Sequence, residues 1–184
     1  MGTFDHLFYE FVPQETQWGD WCHSPQAYFR GEADMPGANM NVGFQVFTAD
    51  NDMEDSHFHQ GADEYIFFMG ADPMNIFDFD AEIDFYIGND PDHMEIYKIT
   101  KPTVVRLPPT VWHSPILFRK MKKPLLFQAA FQAGCWGTIY RVKDENGDSK
   151  YIYNGDNVRF CRVRPGERCT ICGDCMPKIP SAEN

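Results

Sequence analysis

Between Arg30 and Lys98 the sequence has no lysine or arginine, while acids recur through the same span, among them Asp50, Asp52, Glu54, Asp55, Asp78, Asp80, Glu82 and Asp84. With a formal net charge of -11, the chain repels a phosphate backbone, which argues against nucleic acid or an anionic membrane surface as a partner. The acids read as a solvated face. Residues 50–55, DNDMED, resemble a calcium loop but lack its glycine and its distant glutamate. Also missing is any apolar run long enough to cross a bilayer, and the first 20 residues hold no unbroken hydrophobic stretch of an export signal. A cytoplasmic protein is expected. There is no serine nucleophile motif, phosphate-binding glycine loop, reactive-cysteine signature, internal repeat or sustained helical period.

What is present is short, alternating and aromatic. The 184 residues, 43% hydrophobic and 15% aromatic, suffice for one domain with a closed core. In residues 77–87, FDFDAEIDFYI, apolar side chains fall on one side and Asp78, Asp80, Glu82 and Asp84 on the other, the period of a half-buried strand. Further strands are expected over 41–48, 63–69, 94–100, 103–107, 124–132, 136–142 and 150–153, with turns at Gly70, 88–92, Pro108-Pro109 and 145–148. This pattern predicts an all-β sandwich or small barrel over 41–160. Residues 1–40 read as an irregular aromatic arm lying against the barrel or a second subunit, and 161–184 as a Cys-rich tail.

His57 and His59 sit two apart on a strand, so their imidazoles share a side. Gln60-Gly61-Ala62-Asp63 supplies a turn, after which Glu64 can face the pair from an adjacent strand. His113, in the proline-stiffened LPPTVWHSP of 107–115, is the remaining donor. Three imidazoles and a carboxylate suit one divalent transition metal, with iron, manganese, nickel and zinc all admissible. His6, His23 and His93 read as ordinary surface or core residues.

HxHxxxxE closed by Gly70, followed by PPTVWHSP, resembles the two signature motifs of the cupin superfamily over roughly residues 41–142. The resemblance implies a double-stranded β-helix, or jelly-roll, barrel with His57, His59, Glu64 and His113 as metal ligands. The usual glycine before the histidine pair is absent, Thr110 stands where glycine is common, and Leu117 replaces a common asparagine. The implied function is a metalloenzyme acting on a small polar molecule, best placed among dioxygenase-type oxidoreductases. Lewis-acid isomerases, decarboxylases, lyases and non-catalytic sensors are the alternatives.

Gln128 and Gln132 share one face of strand 124–132, and with Gln45 they are candidates to line the substrate pocket. Tyr65, Phe67 and Met69 then coat an outer face that the arm or a homodimer partner would cover. Tyr28, His23 and a metal-bound hydroxide are the candidate proton-transfer groups. In the tail, Cys161, Cys169, Cys172 and Cys175 have the spacing of a structural zinc site, with an iron–sulfur cluster as the alternative. Cys22 and Cys135 read as ordinary thiols.

Overall fold

The computed structural model describes residues 2–153 except 17 and 135. Cys135 and the tail site of Cys161, Cys169, Cys172 and Cys175 therefore lie outside the described residues. In chain order the strands are β1 (Cys22–Phe29), β2 (Asn41–Phe47), β3 (Asn51–Met53), β4 (His57–Gln60), β5 (Glu64–Gly70), β6 (Glu82–Gly88), β7 (Glu95–Ile99), β8 (Thr103–Leu107), β9 (Trp112–Arg119), β10 (Leu125–Phe131), β11 (Gly137–Lys143) and β12 (Ser149–Tyr153). One antiparallel sheet runs β1-β2-β10-β5-β8; the other runs β12-β11-β4-β9-β6-β7, with β3 paired to β9.

Burial follows the period-two pattern. Every second residue of β2 and of β5 is buried, so Glu64, Ile66 and Phe68 face in while Tyr65, Phe67 and Met69 are half-buried on the outer side. Between the sheets Phe47, Phe68, Phe85, Phe118 and Phe127 are fully buried, with Phe47 stacked on Phe127 at 4.9 Å between ring centroids. Burying side chains of this size stabilises by roughly 1.5–3 kcal/mol each.

Three sequence expectations need correction. The arm is shorter than residues 1–40, because Cys22–Phe29 is a strand paired with β2. Its remaining part packs on that strand pair, Tyr9 against Phe29 and Phe11 against Phe44. The strand expected over 77–87 starts only at Glu82. Residues 76–78 fold against the end of β5 instead: the Gly70 amide donates to the Ile76 carbonyl at 2.9 Å, and a Cβ on Gly70 would sit 2.5 Å from the Asp78 carbonyl. Only glycine permits that approach. Finally, the proline-rich stretch around His113 is no isolated turn, since β9 begins at Trp112 and carries Pro115 inside it.

Candidate metal centre

β4 presents His57 and His59, and β9 runs antiparallel beside it with His57 directly opposite His113. The chain then turns at Gly61, whose φ of 79° belongs to the left-handed region open to glycine. Past that turn it enters the other sheet: β5 pairs with β10 and β8. Glu64 therefore meets the histidines across the barrel interior, and not across a strand pair as the turn alone suggested. All four side chains are buried, none more than 6% exposed.

The three imidazoles offer nitrogen donors that all lie within 4.8 Å of one another. Their tautomers follow from their partners. His57 Nδ1 lies 2.8 Å from the Asp55 carbonyl and His113 Nδ1 lies 3.1 Å from the Val111 carbonyl. A carbonyl only accepts, so each Nδ1 carries the proton and each Nε2 turns a lone pair to the interior. His59 Nδ1 lies 2.9 Å from the hydroxyl of Thr138, a fully buried residue of β11 that sequence reasoning missed. Such partners orient metal-binding imidazoles.

Glu64 Oε2 sits 3.1 Å from His59 Nε2 and 3.2 Å from His113 Nε2. These three atoms are buried and make no hydrogen bond. Burial, reinforced by His113 and His59, holds the His57 pKa well below the usual imidazole range. Burial also lowers that of His59, against the pull of Glu64. Burial pushes the Glu64 carboxyl up, but His59 and His113 outweigh it and keep the group ionised. The Asp55 and Val111 carbonyls thus turn the Nε2 lone pairs of His57 and His113 inward, beside a buried carboxylate, an arrangement short of one positive centre. The donor set fits a divalent metal ion.

Beside the donors lies a cavity of about 220 Å³. Gln45, buried on β2, lines it together with Tyr28 and Arg30. The Gln45 amide donates to the Tyr28 hydroxyl at 3.1 Å, and that hydroxyl donates to Gln26. Burial raises the Tyr28 pKa. Phe127, Ala129 and Phe131 of β10 line the cavity, so the face of Gln128 and Gln132 is the other one. Both glutamines are corrected out of the pocket: Gln128 is half-buried on the outer side, and Gln132 is exposed beside Pro109 and Thr110. The aromatic residues of β10 gain more from burial than amides do. His23 is exposed on β1, away from the cavity, and His6 and His93 are exposed too. Cys22 is a buried thiol that accepts from the Gln26 amide at 2.8 Å.

A second carboxylate enters from an unexpected place. Glu54, between β3 and β4, lines the cavity with Oε2 at 3.4 Å from His57 Nε2. It was legible only as one acid among many.

No protein-family model matches the chain, and no curated protein sequence does. Solved structures do. A recombinant oxalate oxidase in complex with glycolate superposes with a TM-score of 0.51 at 14% identity, covering 74% of this chain and 64% of the oxidase. An oxalate decarboxylase from Bacillus subtilis gives a TM-score of 0.48 at 12% identity, covering 70% of this chain and 29% of the decarboxylase. This chain thus spans just under two thirds of the oxidase. The oxidase is a cupin, and at this identity the likeness bears on the fold alone.

Proposed function

The chain has the cupin fold, and from that premise we propose that it is a metal-dependent enzyme acting on a small polar molecule, with His57, His59, Glu64 and His113 as the metal ligands. The observation that supports this most is the set of buried, unbonded donor atoms on His59, Glu64 and His113, with both nitrogens within 3.2 Å of Glu64 Oε2 and all three residues lining one cavity. On an ion that prefers six ligands, four protein donors leave two positions toward that cavity. When bound, such an ion polarises a chelated substrate or supplies an electron to an oxidant.

The protein's own groups do the rest. Thr138 and the Asp55 and Val111 carbonyls fix the imidazoles, and the Gln45–Tyr28–Gln26 chain orients a phenol hydroxyl at the cavity. Phe127, Phe131, Trp136 and Ile66 exclude water from the site. Arg30, at the same cavity, suits an anionic group on the substrate. We place the reaction among oxidations of dioxygenase type, because four protein donors on a six-coordinate ion would leave room for both a substrate and an oxidant. The second reading is Lewis-acid isomerisation, decarboxylation or lyase chemistry. It is favoured by Tyr28 and Glu54, two proton-transferring groups in the cavity that simple oxygen insertion does not require. The arm, with Phe4, Leu7, Phe8, Phe11 and Val12 exposed, fits the expected homodimer.

Elemental analysis of native protein beside His113→Ala tests both levels. The variant should lack one equivalent of metal, and the ion lost should be redox-active. Loss of zinc alone removes the dioxygenase reading, and an unchanged metal content removes the site.

A further inference from the structure

Glu54 is not accounted for by fold or stability. It is a non-glycine residue held at a φ of 59°, a left-handed conformation that costs a side-chain-bearing residue of order 1 kcal/mol. Its side chain, 24% exposed, lines the cavity instead of joining the acids of the solvated surface.

We propose that Glu54 is a fifth protein ligand of the same ion, filling one of the two positions the other four would leave until an incoming ligand displaces its carboxylate. This rests on the four-ligand reading above. Distance is the first argument. Two ligands about 2.1 Å from an ion and at right angles are about 3.0 Å apart. The pairs His59–Glu64, His113–Glu64 and His57–Glu54 stand at 3.1, 3.2 and 3.4 Å. Glu54 thus stands beside His57 at a distance close to those between Glu64 and the other two imidazoles.

Charge is the second argument. A divalent ion with one carboxylate leaves a net positive charge in a largely enclosed, aromatic cavity, whereas a second carboxylate neutralises it. Glu54 and Glu64 are two carboxylates lining one cavity, where like charges repel. A shared cation removes that repulsion. The consequence is selectivity: a single-donor molecule would find one open position, and the second would open only to a ligand able to displace Glu54.

Manganese(II) is the probe, because this hard ion prefers oxygen and nitrogen donors and leaves the thiolates of the tail alone. Full-length wild type, Glu54→Ala, Glu54→Gln and His113→Ala are freed of metal and loaded with manganese. In Glu54→Ala, water-proton relaxation per bound manganese should rise about twofold, since two of six positions then carry water in place of one. Affinity should fall at least about tenfold. Glu54→Gln keeps the side-chain shape, so it should melt like metal-free wild type yet share the affinity loss. If affinity falls while relaxation stays at the wild-type value, Glu54 acts only as a nearby charge and the proposal is overturned. It is overturned equally by unchanged affinity in both Glu54 variants. His113→Ala separates the two levels: retention of manganese there would sink the four-ligand site itself, whereas its loss beside an unaffected Glu54→Ala would sink the fifth ligand alone.

Discussion

The two ends of the barrel interior are built by the same strands and obey opposite rules. Along β5 the inward residues run Glu64, Ile66, Phe68; along β9, His113, Ile116, Phe118; along β2, Gln45 then Phe47. At one end these side chains close into an aromatic plug, Phe47 and Phe127 stacked and Phe118 edge-on to Phe47 at 5.0 Å. At the other they leave a cavity lined by buried polar atoms without hydrogen bonds. Ile66, Ile116 and Phe127 belong to both, the floor of one and the edge of the other. A dry plug stabilises the fold, which allows the opposite end to hold groups that do not stabilise it unaided.

Substitutions should separate the two ends. Phe68→Ala, at the fully buried plug, should cost about 3–5 kcal/mol in urea unfolding while leaving the equivalents of bound metal unchanged. Loss of metal at native temperature would mean that the ends are not separable. Thr138→Val, at the polar end, should do the reverse. It removes the partner of His59 Nδ1 and should weaken metal binding about 10–100-fold in chelator competition, with a smaller change in the metal-free urea midpoint.

Acidification should also tell the ends apart. The folded pKa values of His57 and His59 lie below their unfolded value of 6.5, so below that pH the unfolded chain binds more protons. Stability present at pH 7 is then lost as pH falls through this window, by up to about 1.4 kcal/mol per pH unit for each imidazole. Glu54, pushed up to about 7, works in the opposite direction, so metal-free Glu54→Gln is the clean background for measuring urea midpoints. A midpoint that rises on acidification there would reverse the assignment of neutral imidazoles. The smallest effect belongs to the outer surface. Lys123→Ala breaks an exposed pair with Asp78 at 2.6 Å and should leave the urea midpoint and the bound metal close to wild type.

The sequence showed most of the fold because alternation is a local property. β2, β5, β7, β8, β10, β11 and β12 lie within a residue or two of their expected bounds. Alternation does not say which face is inside, which is why Gln128 and Gln132 are candidates for a pocket that Phe127 and Phe131 line instead. Proline hid two strands: Pro25 in β1 and Pro115 in β9 disguise extended chain as arm and turn. The histidines and Glu64 stood out through spacing alone. Glu54 could not, since alternation sets it, three residues away, on the side opposite His57, and only its left-handed backbone breaks that period. Thr138 carries no signal until β11 is known to pair with β4, where it lies opposite His59.

One detail of the centre reaches beyond chemistry. The three imidazoles belong to one sheet and Glu64 to the other, so a cation gripped by all four is a rivet through both walls of the barrel. Metal loading would then set how far those walls can part. Amide exchange along β4 and the start of β5 should quicken when the ion is stripped, while the aromatic end stays clamped.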